Sequence, residues 1–268
     1  MTAVYIHIPF CSYCDFCKVF YNEKWSHQYL LKLKDEILDL YDGEEVKSIY
    51  VGGGTPSVLS NNELEFLMDI LKVFKRTITC EFTFECNLED ISKELLTILK
   101  QNKVTRLSIG IQSFQEENLK LLGRNHSFKD AEEKMSLIRE FGFKNINLDL
   151  IYAIPGETMK MLKEDIKCFL KLKPDHISTY SLMIEPNTLL WVNGIRPIKE
   201  ELDEEMYHYL CKALEKKGYI HYEISNFAKD GRESIHNLTY WNNEEYYGFG
   251  LSASGYIDQI RYTNTKNL

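Results

Sequence analysis

Three cysteines, Cys11, Cys14 and Cys17, lie close together directly after the short apolar segment Val4 to Phe10. Thiolates are soft anionic ligands that suit zinc and iron-sulfur clusters. Because no fourth ligand lies nearby in the sequence, the group favours a cluster with one iron left open for chemistry. Two alternatives stay open, a zinc site completed by a distant His or Cys and free cysteines that are close by chance.

A second candidate site is the run Gly52-Gly53-Gly54-Thr55-Pro56, which directly follows an apolar segment. Glycines let the backbone approach a ligand closely and offer its N–H groups or carbonyls. A phosphate-binding loop of the Walker type is excluded, because no Lys-Ser/Thr pair follows the glycines and Pro56 lacks an N–H donor. The alternative is a tight turn without a ligand.

Four further polar residues fall at or just beyond predicted strand ends, and they are Glu85, Gln112, Arg124 and Asp149. There they suit a ligand that carries amine, ribose and carboxylate groups. Taken singly, Arg124 is equally well explained by a surface ion pair, and Glu85 or Asp149 by a helix or loop cap.

Histidine does not predict a hydrolytic site here. His7, His126 and His236 are candidate ligands or bases, but an isolated histidine is more often a hydrogen-bonded structural residue. Neither a Gly-x-Ser-x-Gly elbow nor a His-Glu-x-x-His helix is present.

The elements that must position these residues follow an alternating pattern of short β-branched segments and longer amphipathic stretches. The predicted strands are Val4 to Ile8, Val46 to Val51, Glu81 to Glu85, Arg106 to Ile111, Asn145 to Ile151 and His176 to Leu182. Capping boxes are predicted at Ser60 with Glu63 and at Ser113 with Glu116, the second before a helix that stops at Gly123. Ser127 is predicted to cap a helix ending at Gly142, and further helices are predicted over about 158–172 and 203–217.

Six βα units are too few for a closed eight-stranded barrel, which takes about 250 residues. We therefore expect an α/β fold with an open, partial (β/α)6 TIM-like barrel over residues 1–190. Residues 191–268, which are richer in aromatic residues and Asn, are expected to form a short C-terminal extension packed on the barrel. Since barrel active sites lie at the C-terminal ends of the strands, the cysteines, the glycines and Asp149 are expected to share one pocket.

Composition narrows the classes of function. With 44% hydrophobic residues and no run of 18 apolar residues, the chain of 268 residues has no predicted membrane span. Its N-terminus lacks the basic region of a signal peptide, and an odd number of cysteines, seven, fits the reducing cytoplasm. The net charge of -8 argues against a nucleic-acid partner.

Several stretches resemble the radical S-adenosylmethionine (SAM) enzymes of the oxygen-independent coproporphyrinogen III oxidase group. They are Tyr5 to Cys11, Gly52 to Ser57, Leu107 to Phe114, Leu122 to His126, Asn147 to Ile151 and Ile184 to Thr188. Within that group, Tyr222 to Ala228 and His236 to Trp241 are similar to the branch of haem chaperones named HemW. The resemblance spans nearly the whole chain.

The resemblance implies a radical SAM barrel in which Cys11, Cys14 and Cys17 hold a 4Fe-4S cluster and SAM binds the open iron. One electron then cleaves SAM to methionine and a 5'-deoxyadenosyl radical. The positions that match SAM-contacting residues of the family are Tyr5, Gly53, Gly54, Thr55, Glu85, Gln112, Arg124 and Asp149.

Two functions follow from the resemblance. In the chaperone, haem is bound and passed to a client protein. In the oxidase, a coproporphyrinogen III dehydrogenase-type oxidoreductase, propionates of coproporphyrinogen become vinyl groups. The expected partners are these small molecules, a reductant such as flavodoxin or ferredoxin and, for the chaperone, a haem-accepting client. A cluster-free binding module is the third alternative.

The cysteine loop departs from the family pattern. The family has Cys-x3-Cys-x2-Cys, whereas Cys11, Cys14 and Cys17 give Cys-x2-Cys-x2-Cys. The pair Asp15-Phe16, which usually follows the third family cysteine, here follows Cys14. The shortened loop puts in question which cysteines bind iron. The chain also ends where members of the family continue, so a further C-terminal domain is expected to be absent.

Overall fold

The computed structural model describes residues 1–10, 21–186 and 188–266. The first part of the chain contains β1 (Thr2–Ile8), α1 (Glu23–Leu40), β2 (Glu45–Gly53), α2 (Asn61–Ile70), β3 (Lys75–Asn87), α3 (Lys93–Gln101), β4 (Arg106–Gln112), α4 (Glu116–Leu121), α5 (Phe128–Glu140), β5 (Ile146–Tyr152), α6 (Met159–Lys171) and β6 (His176–Ser181). The later part contains α7 (Leu189–Val192), α8 (Glu200–Glu215), β7 (Ile220–Glu223), β8 (Asn226–Ala228), α9 (Ile235–Trp241), β9 (Tyr246–Phe249), β10 (Ser254–Ile257) and β11 (Ile260–Thr263). Each predicted strand is present.

The chain forms two compact units. Unit 1 comprises Met1–Leu107 and Ser234–Leu268, and unit 2 comprises Ser108–Glu233. The boundary predicted near residue 190 stays a prediction. No helix in the described ranges is long and apolar enough to cross a membrane.

In unit 1 the strands lie in the order β11-β10-β9-β1-β2-β3. β1 runs parallel to both β2 and β9, and β2 runs parallel to β3, while β9, β10 and β11 form antiparallel pairs. Val4, Ile6 and Ile8 of β1 are fully buried. These alternate residues share one face of β1, and Ala3 on the opposite face is fully buried too, which is typical of a parallel sheet covered on both faces.

In unit 2 the order is β4-β5-β6-β8-β7. β5 and β6 are parallel, with Asn147 beside His176 and Asp149 beside Ser178. β8 pairs antiparallel with β6 on one side and with β7 on the other. The parallel pair therefore carries the predicted site residue Asp149, and the motif from Tyr222 to Ala228 forms the neighbouring hairpin.

Several predicted helix ends are confirmed. Ser60 caps α2 in a capping box, since its hydroxyl accepts from the Glu63 N–H and the Glu63 carboxylate accepts from the Ser60 N–H. Ser127 caps α5 in the same way, with Asp130 as its partner. Gly123 and Gly142 follow the ends of α4 and α5 with φ of 66° and 80°, the left-handed conformation that glycine adopts without strain.

The capping box predicted at Ser113 with Glu116 is wrong. The Ser113 hydroxyl instead donates to Asp165 Oδ2 at 2.5 Å, and α4 begins after Gln115 without a side-chain cap. Asp165 is fully buried and needs donors, because a buried carboxylate without hydrogen bonds is costly. The hydrogen bond to Asp165 therefore takes the place of the capping bond that the local sequence predicts.

The helix α1 was not assigned in the sequence analysis. Leu30, Leu33 and Ile37 are buried on one face of it, at a spacing typical of an amphipathic helix. Burial of each such side chain contributes about 1.5–3 kcal/mol. Asn22 caps its start by accepting from the Lys24 and Trp25 N–H groups. α8 also begins earlier than predicted, at Glu200.

Candidate functional site

The cysteine triplet lies outside the described residues. The structure describes β1 and the residues after it as far as Phe10, and Cys11, Cys14 and Cys17 follow directly. Within the described ranges, no group of three or more His, Cys, Asp or Glu side chains is placed to hold a metal ion. The metal ligands therefore stay a prediction.

The glycine run at the end of β2 lies against protein atoms of unit 1. A Cβ added to Gly52 would come within 2.6 Å of the Glu85 carboxylate, and one added to Gly54 would overlap the Phe10 carbonyl oxygen. Gly53 has φ of +109° and lies under the ring of His7. These glycines are required because the loop passes close to the end of β1 and to Glu85.

Hydrogen bonds fix the same loop. The Gly53 N–H donates to Glu85 Oε2 at 3.1 Å, and the Tyr50 hydroxyl donates to Glu85 Oε1 at 2.7 Å. The N–H groups of Gly54 and Thr55 donate to the carbonyls of Ile8 and Phe10 at 2.7 and 2.6 Å. These three amide N–H groups already have protein acceptors, which agrees with the exclusion of a phosphate-binding loop.

Tyr5 and His7 lie on β1 beside this loop. The Tyr5 hydroxyl is 3.0 Å from His7 Nδ1. Burial, and then the charge of Glu85, raise the pKa of Tyr5 well above its ordinary value, while burial lowers the pKa of His7. His7 Nε2 is buried without a hydrogen-bond partner in the described part of the chain. From the sequence, His7 was a candidate ligand or base for which a structural role is more frequent, and no sequence signal indicated its position against Gly53.

Gln112 and Arg124, both in unit 2, lie together over Gly110. A Cβ on Gly110 would come within 2.8 Å of Gln112 Nε2 and 3.2 Å of an Arg124 guanidinium nitrogen. Gln112 has φ of 73°, which is strained for a residue with a side chain, and its Oε1 is buried without a partner among the described residues. A strained backbone with an unpaired amide oxygen is typical of a residue held for a ligand.

Asp149 is half-buried on β5 and is tied to a polar cluster of unit 2. Its Oδ1 accepts a hydrogen bond from Asn147 Nδ2 at 2.7 Å. Asn147 and His176, which continue the cluster, are 1% and 0% exposed. Sequence reasoning missed both, because their contact depends on how β5 and β6 are aligned. The only sequence signal was the family-like stretch from Asn147 to Ile151.

Two buried carboxylates follow Gln112 in unit 2. Asp165 accepts from the Phe114 N–H and the Gln115 side chain, while Glu157 accepts from Asn118 Nδ2 and the Ile154 N–H. Burial raises the pKa of Glu157 to about 7 and raises that of Asp165. These contacts anchor the loop after β4, and no sequence motif indicated either carboxylate.

His236 of the motif His236 to Trp241 is enclosed in unit 1. Its Nδ1 is 3.0 Å from the Ser48 hydroxyl and its Nε2 is 2.7 Å from the Tyr240 hydroxyl. Burial lowers its pKa to about 3. Since both ring nitrogens have partners, His236 is a hydrogen-bonded structural residue, as an isolated histidine more often is.

Unit 1 also holds a cavity of about 1020 Å³ between α1 and the last strands. Its lining includes Trp25, Tyr29, Leu33, Glu36 and Leu251, and its described lining contains neither His nor Cys. None of the predicted site residues in the described ranges lines it. The cavity is therefore separate from the predicted SAM contacts of unit 1.

Comparison with known proteins gives the family. The model of the Radical SAM superfamily matches residues 5–169. The chain is 43% identical over 271 residues to the haem chaperone HemW of Lactococcus lactis, covering 98% of this chain and 71% of that protein. The chain belongs to the HemW family of radical SAM proteins.

Other HemW proteins are similar over the same extent. HemW of Bacillus subtilis is 43% identical over 277 residues, covering 98% of this chain and 73% of that protein. HemW of Escherichia coli is 36% identical over 270 residues, covering 95% and 70%. The predicted family is thereby confirmed, including its HemW branch.

A solved structure gives the fold. Coproporphyrinogen III oxidase (HemN) from Escherichia coli, a radical SAM enzyme, matches with a TM-score of 0.87 and 24% identity, covering 99% of this chain and 67% of that one. The Elp3 protein of Methanocaldococcus infernus matches with a TM-score of 0.54 over 78% of this chain and 54% of its own. The predicted α/β partial TIM-like barrel is confirmed.

Proposed function

We propose that this HemW-family chain is a haem chaperone, a radical SAM protein that binds a 4Fe-4S cluster, SAM and haem and passes haem to a client protein. The observation that carries the proposal is the 43% identity to two haem chaperones across 98% of the chain. A cytoplasmic location, a reductant such as flavodoxin or ferredoxin, and a haem-accepting client belong to the same proposal.

The proposed cluster ligands are Cys11, Cys14 and Cys17, and their thiolate chemistry suits iron. The proposed SAM contacts are Tyr5, Gly53, Gly54, Thr55 and Glu85 of unit 1, and Gln112, Arg124 and Asp149 of unit 2. The buried, unpaired Oε1 of Gln112 supports this assignment, because a polar ligand would satisfy it. When bound, cluster and SAM supply one-electron radical chemistry.

The shortened cysteine loop is tested by iron content. Cys11, Cys14 and Cys17 are each replaced by Ala, and iron and sulfide are measured after anaerobic reconstitution. We expect each replacement to lower the iron content, and a replacement that leaves it unchanged marks a cysteine that is not a ligand. Near-zero iron in the unmodified protein would contradict the proposal and leave a cluster-free binding module.

The chaperone and the oxidase are separated by product analysis. Cluster-loaded protein is incubated anaerobically with SAM, coproporphyrinogen III and dithionite. We expect the coproporphyrinogen to be unchanged. Formation of protoporphyrinogen would overturn the chaperone proposal and support the oxidase.

His236 is not proposed as an axial haem ligand. Coordination needs a ring nitrogen with a free lone pair, and both nitrogens of His236 already have hydroxyl partners, at 3.0 and 2.7 Å. Ligation would therefore require the buried ring to lose a hydrogen bond.

A further inference from the structure

A buried polar cluster lies between β5 and β6 of unit 2. The two strands are parallel and place Asn147 directly beside His176, and Asp149 beside Ser178. Because side chains alternate along a strand, Asn147 and Asp149 share one face of β5, and His176 and Ser178 share the same face of β6. The four polar side chains therefore lie side by side on one face of the two strands.

The amide of Asn147 has all its hydrogen bonds satisfied. Its Nδ2 donates to Asp149 Oδ1 at 2.7 Å and to Ser108 Oγ at 2.8 Å. Its Oδ1 accepts from His176 at 2.6 Å and from Ser178 Oγ at 3.1 Å. An amide with two donors and two acceptor positions filled is held in one orientation.

The chemistry of the groups assigns the direction of each bond. An ionised carboxylate only accepts, so Asn147 turns Nδ2 towards Asp149 and Oδ1 towards His176. His176 Nδ1 must then carry the proton. In the neutral ring Nε2 is left as an acceptor for the Tyr222 hydroxyl, which is 2.7 Å away. The donors therefore run in one direction, from Tyr222 through His176 and Asn147 to Asp149.

A core of this kind is expensive to build. Replacing a buried polar network by packed apolar side chains is often neutral or stabilising, and a partly satisfied network is worse than an apolar one. Asn147, His176 and Ser178 are nevertheless 1%, 0% and 3% exposed. The network includes the half-buried carboxylate of Asp149, a predicted SAM contact, which gives a functional explanation for the polar core.

We propose that Tyr222, His176 and Asn147 are positioning residues that orient the Asp149 carboxylate for SAM through this chain of hydrogen bonds. The inference rests on the proposed function, because the contact between Asp149 and SAM is part of that proposal. It gives the Tyr222 motif a role on this chain, since the Tyr222 hydroxyl donates to His176 Nε2 and so supports the tautomer in which Nδ1 donates to Asn147.

The test measures the dissociation constant of SAM by calorimetry on the cluster-loaded protein of 268 residues. His176→Phe removes the donor to Asn147, and we expect about tenfold weaker SAM binding, the effect of roughly one hydrogen bond to a charged group. His176→Asn keeps a donor near the Nδ1 position, and we expect binding within about threefold of the unmodified protein.

The matched control is His221→Phe in the same unit. His221 stacks on Phe227 with ring centroids 4.2 Å apart and donates to the Ile224 carbonyl, so it takes no part in the hydrogen bonds described above that lead to Asp149. We expect unchanged SAM affinity. Should His176→Phe fail to fold, Tyr222→Phe provides the second variant, with an expected loss of about threefold.

A double-mutant cycle with Asp149→Ala identifies a positioning role. If His176 acts through the carboxylate, adding His176→Phe or Tyr222→Phe to Asp149→Ala weakens SAM binding by less than about twofold further. Equal losses in both backgrounds, or binding by His176→Phe and Tyr222→Phe as tight as in the unmodified protein, would overturn the inference alone. Absence of SAM binding by the unmodified cluster-loaded protein would overturn the proposed function with it.

Discussion

Each unit buries one histidine whose two ring nitrogens both have partners. In His236 of unit 1 and His176 of unit 2, Nε2 lies 2.7 Å from a tyrosine hydroxyl. They differ at Nδ1, because His236 meets the Ser48 hydroxyl and His176 meets the Asn147 amide. The first contact ends within the core, whereas the second continues to the Asp149 carboxylate.

The difference shows that burial and hydrogen bonding alone do not separate a structural histidine from a positioning one. The deciding feature is the group at which the hydrogen-bonded chain ends. Replacement of His236 is therefore expected to lower stability alone, whereas replacement of His176 is expected to weaken ligand binding as well. The following experiments test this division.

The largest expected effect is on the stability of unit 1. His236→Ala leaves the buried Ser48 hydroxyl and the partly exposed Tyr240 hydroxyl without their partner and creates a cavity, so we expect a loss of about 3 kcal/mol in the free energy of unfolding. Urea denaturation measures it, and His221→Ala is the control with an expected loss of about 1 kcal/mol. Loss of haem binding at unchanged stability would show instead that His236 is a haem ligand.

The second-largest expected effect is on the affinity for SAM. Asp149→Ala is expected to weaken SAM binding about 30-fold, since a hydrogen bond to a charged group contributes about 1.5–3 kcal/mol. Glu85→Ala should also weaken SAM binding, but it additionally lowers the unfolding free energy, because Tyr50 and Gly53 lose their acceptor. Calorimetry and denaturation together measure the contrast. If Asp149→Ala lowers the free energy of unfolding as much as Glu85→Ala does, the contrast is contradicted.

The stability contributions of His236 in unit 1 and of Glu157 in unit 2 should change with pH in opposite directions. The pKa of His236 is lowered to about 3, so its contribution to stability is present above pH 6.5 and is lost as pH falls. The pKa of Glu157 in unit 2 is raised to about 7, so its contribution is present below about pH 4.5 and is lost as pH rises towards 7.

Between pH 5 and 6.5, the stability of Glu157→Gln relative to the unmodified protein should therefore rise with pH. That of His236→Phe should fall, each by on the order of 1 kcal/mol. Urea denaturation at several pH values measures both slopes. Slopes of the same sign would contradict the two pKa shifts.

The smallest effect is a gain in stability. Gln112 has φ of 73°, so Gln112→Gly should relieve backbone strain and stabilise unit 2 by up to about 1 kcal/mol while weakening SAM binding. Lys173 has φ of 51° and is the control, because Lys173→Gly should stabilise without changing SAM affinity. If Gln112→Gly leaves SAM affinity unchanged, the strain at Gln112 has no role in ligand binding.

The sequence predicted what depends on local pattern. Strand positions follow from runs of β-branched residues, and the caps at Ser60 and Ser127 follow from residues three positions apart. Contacts between distant residues were not predictable in this way. Ser113 does not cap α4, because its hydroxyl donates a hydrogen bond to Asp165, which is far away in the sequence.

The residues of the candidate site show the same difference between local sequence patterns and contacts between distant residues. Gln112, Arg124 and Asp149 were found from their positions at or beyond predicted strand ends and from family-like stretches. Asn147 and His176, in contrast, meet only because β5 and β6 pair in a particular register. The position of the His7 ring over Gly53 likewise depends on the pairing of β1 with β2. Strand register is not encoded in any short stretch of sequence.

Haem titration of anaerobically reconstituted, cluster-loaded protein tests the haem-chaperone function most directly. A Soret band that saturates at a fixed stoichiometry is expected, and it should persist in His236→Phe because neither ring nitrogen of His236 is free to bind iron. The contradictory result is a cluster-loaded protein, with full iron and sulfide content, that gives no saturable Soret band.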